Sequence, residues 1–453
     1  MPFTIFLAIC AFTINLNTVH RVLIITYYWP PSGGSAVLRW LKFTKYLREF
    51  GWEPVIYTPL NPEPQETDES LLVDIPGGLE VLKTKIIEPY SVYKFITGKK
   101  QHEKLGVALM SEKKKPGLIN KASLWIRSNF FIPDPRVFWI GPSVKFLDKY
   151  LDKNPVEIII STGPPHSMHL IAKRLKEKKG IKWLADFRDP WTNIDFYREL
   201  KLTGRSDRCH RKLEKEVLET ADRIVTVSPG MTEEFKAMGI NNVTTITNGF
   251  DAEAVTGELP VQREFTILHL GSMPRSRNPE ILWQVIDSMI KEDPGFKSLL
   301  KIRLIGKNDI AVLDSIKQHH LEEFTVHESY VPHTEAQGIL ATASILLLSI
   351  NNTENARGIL TNKFFEYLSA HRPILGIGPV TGDAAIILNE TGAGKMFEYN
   401  DHNGLKEYLS GLFGLYSQNR LKVDAHDIQK YSRKSLTGNL AKLLSELLSS
   451  SVI

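Results

Sequence analysis

Residues 22–26 (VLIIT) form a continuous apolar run, and strand patterns rich in Ile and Leu recur at 157–161 (EIIIS), 265–270 (FTILHL) and 345–350 (ILLLSI). A strand with one wet face alternates apolar and polar residues, whereas a strand that is apolar throughout is covered on both faces. Such strands belong to parallel sheets, whose neighbours must be joined by long crossovers, usually helices. The intervening sequence supplies them. After residues 22–26 come a loop (YYWPPSGGS), an amphipathic stretch over about 36–50 ended by Gly51, and a second strand pattern at 54–58. That order is a βαβ unit. Strand patterns recur at 183–187, 223–227 and 243–246, then at 301–305, 324–327, 373–377 and 395–397, with helical patterns near 166–179, 207–220 and 436–448. A polar stretch from Asn248 to about Arg263 separates two such series. The fold class expected is α/β, with two doubly wound domains over 21–255 and 262–430 and a C-terminal helix over 431–453. In this architecture ligands sit outside the carboxyl ends of the strands.

Composition narrows the function classes. With 453 residues, 42% hydrophobic, each half can bury its own core. The two cysteines, Cys10 and Cys209, offer neither a zinc spacing nor a disulfide framework, so a reducing, cytoplasmic setting is the expectation. A net charge of +5 suits an anionic small molecule or an anionic membrane surface, and no nucleic-acid module is visible. Residues 1–20 are largely apolar, too short to span a bilayer, and lack the basic start of an export signal. They read equally as an upstream extension or a short hydrophobic tail. The segment 94–127 carries nine Lys/Arg against Glu103 and Glu112, with interleaved apolar residues. It reads as a membrane-facing excursion or as a solvated basic insertion.

Several loops follow strand patterns and so fall at the ligand edge. Gly33 and Gly34 (PPSGGS) would let backbone approach a ligand beside a helix N-terminus, though the motif is not the dinucleotide fingerprint. Residues 271–279 (GSMPRSRNP) place Arg275 and Arg277 where they can meet phosphate or merely face water. In 361–368 (TNKFFEYL) a 100° helical step puts Phe364, Phe365, Tyr367 and Leu368 on one arc, and Asn362, Lys363 and Glu366 on the other. That polar arc can hold a diphosphate and a ribose, or be a solvated face. In 376–383 (GIGPVTGD), Gly382 and Asp383 can face a ligand, or Asp383 can cap a helix. In the first half, 161–166 (STGPPH) and 186–191 (DFRDPW) bring His166, Arg188 and Asp189 to one sheet edge, the candidates for catalytic contact. There is no nucleophile elbow, no Asp-x-Asp and no His/Cys cluster, so no metal and no cofactor are expected.

Taken together, these segments resemble a known family. GILTNKFFEYLSAHRPILGIGP (358–379), GDAAIILNETGAG (382–394) and LHLGSMPRSRNPEIL (268–282) are similar to the donor-binding half of GT-B glycosyltransferases, specifically family-four-like enzymes of bacterial surface-polysaccharide pathways. ADRIVTVSPGMTEEF (221–235), ITNGFD (246–251) and the opening YYWPPSGGSAVLRWLKFTKYLREFGWEP (27–54) resemble their first domain. The resemblance implies two Rossmann-like domains facing a central cleft, acceptor domain first. It further implies transfer from a nucleotide-sugar donor to a saccharide or lipid-linked acceptor, metal-independent and retaining, with peripheral membrane contact. By position, Arg277 and Lys363 would hold the donor diphosphate and Glu366 the ribose. Three departures stand out. The family often has two glutamates separated by seven residues, and Gly358 stands at the first while Glu366 fits the second. The usual arginine after the strand glycine is Ser272, and the frequent histidine of the first domain falls near Arg188. Gly358 and Ser272 leave open a non-catalytic sugar-nucleotide-binding protein, and a nucleotide-sugar epimerase on the same fold is the other alternative.

Overall fold

A computed structural model describes residues 19–63, 67–88, 125–251, 263–329 and 331–449. The apolar start, most of the basic stretch 94–127 and the linker core 252–262 lie outside the described residues.

The first sheet contains β1 (His20–Ile25), β2 (Trp52–Pro59), β3 (Glu80–Thr84), β4 (Ile158–Gly163), β5 (Lys182–Phe187), β6 (Arg223–Thr226) and β7 (Val243–Thr245). Its strand order is β3-β2-β1-β4-β5-β6-β7, and every pairing is parallel. The second sheet contains β8 (Phe265–Leu270), β9 (Leu300–Ile305), β10 (Thr325–Glu328), β11 (Ile345–Ser349), β12 (Ile374–Ile377) and β13 (Gly394–Phe397), in the order β10-β9-β8-β11-β12-β13, again all parallel. These are the two Rossmann-like sheets expected. The apolar residues of the central strands are divided between two cores, one on each face of the sheet. Val22 and Ile24 of β1 enter one apolar cluster while Leu23 and Ile25 enter another on the opposite face. In β8, Phe265 and Ile267 point one way and Leu268 and Leu270 the other. Each such burial stabilises by about 1.5–3 kcal/mol.

The C-terminal helix, whose place the sequence left open, packs on the first domain. Arg433–Ser449 is not appended to the second domain. Leu436, Leu440, Leu444 and Leu447 join Val37, Trp40 and Leu41 of the helix Ser35–Leu47 in the core of the first sheet. The chain therefore crosses between the domains twice. β3 and the helix Val137–Lys153 were not legible in the sequence. The former is a short, half-covered edge strand, and the latter carries Gly141-Pro142 inside its second turn, which masks the helical period.

One buried ion pair ties the first domain together. Arg39 donates from Nε and Nη2 to Asp186 at 3.0 and 2.8 Å, and to the carbonyls of Thr247 and Ile246 at 2.9 and 2.8 Å. Asp186 also accepts from Trp40 Nε1 at 2.7 Å and Thr162 Oγ1 at 2.8 Å. Both side chains are essentially without solvent exposure. The pair joins the first helix to β5 and to the chain as it leaves for the second domain.

Candidate active site at the interdomain cleft

In both sheets the strand order reverses beside the first strand, between β1 and β4 and between β8 and β11. Loops leaving those strands diverge to opposite faces and open a crevice at each switch point. The two crevices combine into one cleft of about 1100 Å³.

The second-domain wall is cationic. The helix Asn362–Ser369 buries Phe364, Phe365, Tyr367 and Leu368, as its period demanded, and leaves Lys363 and Glu366 on the cleft side. The phenol of Tyr367 accepts from the backbone N–H of Leu270 at 2.8 Å and locks the helix to the end of β8. Thr361 sits at the N-cap but makes no side-chain cap, so the first-turn N–H groups have no side-chain cap from it beside the cleft. Lys363 Nζ lies 3.1 Å from His269 Nε2 and 3.4 Å from the Ser272 carbonyl. His269 Nδ1 is 3.0 Å from the Leu347 carbonyl, which fixes Nε2 as the acceptor. Lys363 forms no ion pair among the described residues. Desolvation, then the neighbouring Arg277, pull its pKa down to about 7. Arg277 is held by Nε, which donates to Asn351 Oδ1. Burial lowers its pKa too, opposed by Asp195.

The first-domain wall is built on Gly33, Gly34, Arg188 and Asp189. Gly34 has φ +85°, a region that favours glycine, and a Cβ on Gly33 would sit 3.1 Å from that of Asp68. Arg188 donates from Nη1 to the Ala36 carbonyl at 3.0 Å and from Nη2 to the Pro164 carbonyl. Asp189 stands deep in the cleft yet open to its solvent, and desolvation raises its carboxyl despite the adjacent Arg188.

Four expected contacts lie elsewhere. His166 is only 8% exposed, behind the wall rather than in it, stacked on Trp191 at 4.3 Å. Desolvation keeps its imidazole neutral, so it supports the DFRDPW loop from behind. Arg275 is exposed outside the cleft wall. Gly382 lies against the Arg357 carbonyl and Pro379, where a Cβ would be 3.1 Å from each. The Asp383 carboxylate accepts from Gly230 N–H at 2.8 Å, capping the helix Pro229–Ala237 of the other domain. It is a cap, but of a helix in the other domain; the helix that Asp383 itself begins has Gly382 at its N-cap and no side-chain cap. Beside it a Cβ on Gly230 would lie 3.1 Å from Gly358 Cα, so the position where the family often has glutamate is part of this close approach. Sequence reasoning missed Asn351 and Asp195. Asn351 follows β11 at the switch point, which is the signal that could have found it; Asp195 lies on the loop after β5.

Residues 33–254 match the family model described as Glycosyltransferase Family 4. The matched stretch is just under half of the chain and carries the first-domain cleft wall described above, from Gly33 to Asp195. The whole chain also matches solved GT-B structures at low identity. Sucrose-phosphate synthase from Thermosynechococcus elongatus has a TM-score of 0.62 at 12% identity, over 95% of this chain and 100% of that one. HepE from Anabaena, solved with UDP-glucose, has 0.59 at 12%, over 94% and 99%. TarM from S. aureus, as a G117R mutant with UDP and sugar ligands, has 0.58 at 12%, over 94% and 99%. No curated protein matches the chain.

Proposed function

We propose that this chain transfers a sugar from a nucleoside-diphosphate sugar to a saccharide or lipid-linked acceptor, without a metal and with retention, in the assembly of a surface polysaccharide. The observation that carries the reading is the second-domain wall: Lys363, Arg277 and a helix N-terminus converge on one cleft, and neither cation forms an ion pair among the described residues. A departing diphosphate develops charge where these groups stand, and each charge-assisted contact contributes about 1.5–3 kcal/mol. The transition state would be oxocarbenium-like. Glu366 lines the same wall and is suited to ribose hydroxyls. Arg188 and Asp189 face them from the acceptor side. The family 4 match supports retention, and the two cations in place of a divalent ion support metal-independence.

The test is release of nucleoside diphosphate from a panel of UDP- and GDP-sugars with mixed saccharide acceptors, with and without EDTA. Turnover should persist in EDTA. Complete loss, restored by Mg²⁺ or Mn²⁺, would contradict the metal-free reading. Interconversion of the nucleotide sugar without nucleotide release would mark the epimerase alternative.

A lipid-linked acceptor requires contact with a membrane surface. No helix among the described residues is long and apolar enough to cross one. Phe130, 69% exposed, has its ring 5.9 Å from that of the exposed Trp125, and Phe138, 56% exposed, has its ring 5.8 Å from Phe131, at and just after the end of the basic stretch. Exposed aromatics beside lysines suit insertion into an anionic leaflet. The chain should sediment with anionic vesicles and not with neutral ones, and replacing Phe130 and Phe138 by serine should reduce the bound fraction severalfold. Equal partitioning to both vesicle types would contradict membrane docking.

A further inference from the structure

Arg277 is not free to choose its orientation. Its backbone is pinned to the end of β11: Ser349 Oγ donates to the Arg277 carbonyl at 2.7 Å, and Asn352 N–H donates to the Ser276 carbonyl at 3.0 Å. Its side chain is then steered by one group, Asn351, whose Oδ1 accepts from Arg277 Nε. The same Asn351 donates from Nδ2 to Asp195 Oδ2 at 3.0 Å. Only one orientation of the amide satisfies both partners, since the carbonyl oxygen must face the guanidinium and the NH₂ the carboxylate. Asn351 is buried and also anchored through its carbonyl, which accepts from Tyr399 Oη at 2.8 Å. Asp195 is itself oriented, because its Oδ1 accepts from Phe196 N–H at 2.9 Å.

Asp195 belongs to the first domain, whereas Asn351 and Arg277 belong to the second. The contact exists only while the two walls are this close. Arg277 spends Nε on it, and its two Nη groups make no hydrogen bond among the described residues. That is the geometry of a guanidinium aimed and held from behind.

We propose that Asp195 and Asn351 are positioning residues: closure of the cleft brings the Asp195 carboxylate onto Asn351, which fixes the amide and thereby aims Arg277 at the donor phosphates. Donor grip is then conditional on closure, and by linkage a bound diphosphate favours closure in return. This inference rests on the assignment of Arg277 as a phosphate ligand, and its test separates the two.

The test has two arms. In the first, binding of UDP, GDP and ADP is measured by calorimetry. Asp195→Asn, which removes the charge of an exposed side chain and keeps its shape, should weaken binding of whichever diphosphate the wild type takes by roughly tenfold, the size of a coupling between directly contacting groups. In the Asn351→Ala or Arg277→Ala background the same substitution should have no further effect. A full additional loss in those backgrounds would show that Asp195 acts independently and overturn the proposal. The second arm uses no nucleotide. In ¹⁵N-arginine-labelled protein the Arg277 Nε–H resonance, assigned by its loss in Arg277→Lys, should shift in Asp195→Asn, a substitution in the other domain. An unmoved resonance overturns the positioning role whatever the nucleotides do. A shifted resonance with no diphosphate bound by the wild type supports the positioning contact and instead removes the donor-site reading.

Discussion

Lys363→Ala should weaken nucleoside diphosphate binding by about one to two orders of magnitude, the equivalent of roughly 1.5–3 kcal/mol for a charge-assisted contact. Arg277→Ala should act with similar size, and neither should disturb the fold, because both side chains point into the cleft rather than the core. The lysine adds a dependence on pH that the arginine lacks. Its pKa in the free protein is pulled down to about 7, chiefly by desolvation. A bound diphosphate favours the charged ammonium, so binding takes up a proton above that pH. Affinity should therefore hold near pH 7 and fall on the alkaline side, by up to about tenfold per unit, until the pKa of the bound state is passed. Lys363→Arg should retain binding and flatten this profile, since a guanidinium stays charged throughout. Calorimetry of UDP or GDP across neutral to alkaline pH reads both effects. A wild-type profile as flat as that of Lys363→Arg would remove Lys363 from the phosphate site.

The largest stability effect should come from Asp186→Ala. The substitution strands the Arg39 guanidinium in a site with almost no solvent and removes the partner of Trp40 Nε1 and Thr162 Oγ1. Breaking one side of a buried, hydrogen-bonded pair costs about 3–5 kcal/mol. Removing both charges with side chains of similar volume, as in Arg39→Met with Asp186→Leu, should cost less, because no ion is left unpaired. Urea denaturation followed by tryptophan fluorescence checks this. The single variant should unfold at clearly lower urea than the double variant. An order reversed between the two would show that the pair is not the stabilising element. Because Arg39 also holds the carbonyls of Ile246 and Thr247 where the chain departs for the second domain, Asp186→Ala should also loosen that exit.

Much of the architecture was legible because the signal is local. A parallel strand buried on both faces is mostly apolar along its length, and runs rich in Ile, Leu and Val are how β1, β4, β8 and β11 announced themselves. The polar arc of TNKFFEYL was legible for the same reason: a helix period needs only neighbours four residues away. Joining parallel strands by crossovers then puts the loops after β1 and β8 at the carboxyl edges of their sheets, where a ligand sits. Gly33, Gly34, Arg188, Asp189, Arg277, Lys363 and Glu366 all line the cleft.

What the sequence could not decide was which of two chemically sensible roles each polar residue takes. His166 is read as a ligand contact from its loop, but the stack with Trp191 turns it behind the wall. Asp383 begins a helix and so reads as a cap or a phosphate-loop residue; only the approach of Gly230 from the other domain, 153 positions away in the chain, makes it an interdomain cap. Asp195 and Asn351 carried no local motif at all, because their meaning is a contact between residues 156 apart. The C-terminal helix showed an apolar stripe but not its destination, since Leu436 to Leu447 would suit any apolar surface and find it on the first sheet. Sequence alone determined the strands, the helix faces and the edge at which a ligand must sit, since those depend on periodicity within a few residues. The tertiary structure decided which cations stay without a salt-bridge partner, which carboxylates are spent between domains and what aims Arg277. Those depend on desolvation and on groups that become neighbours only when the two domains meet.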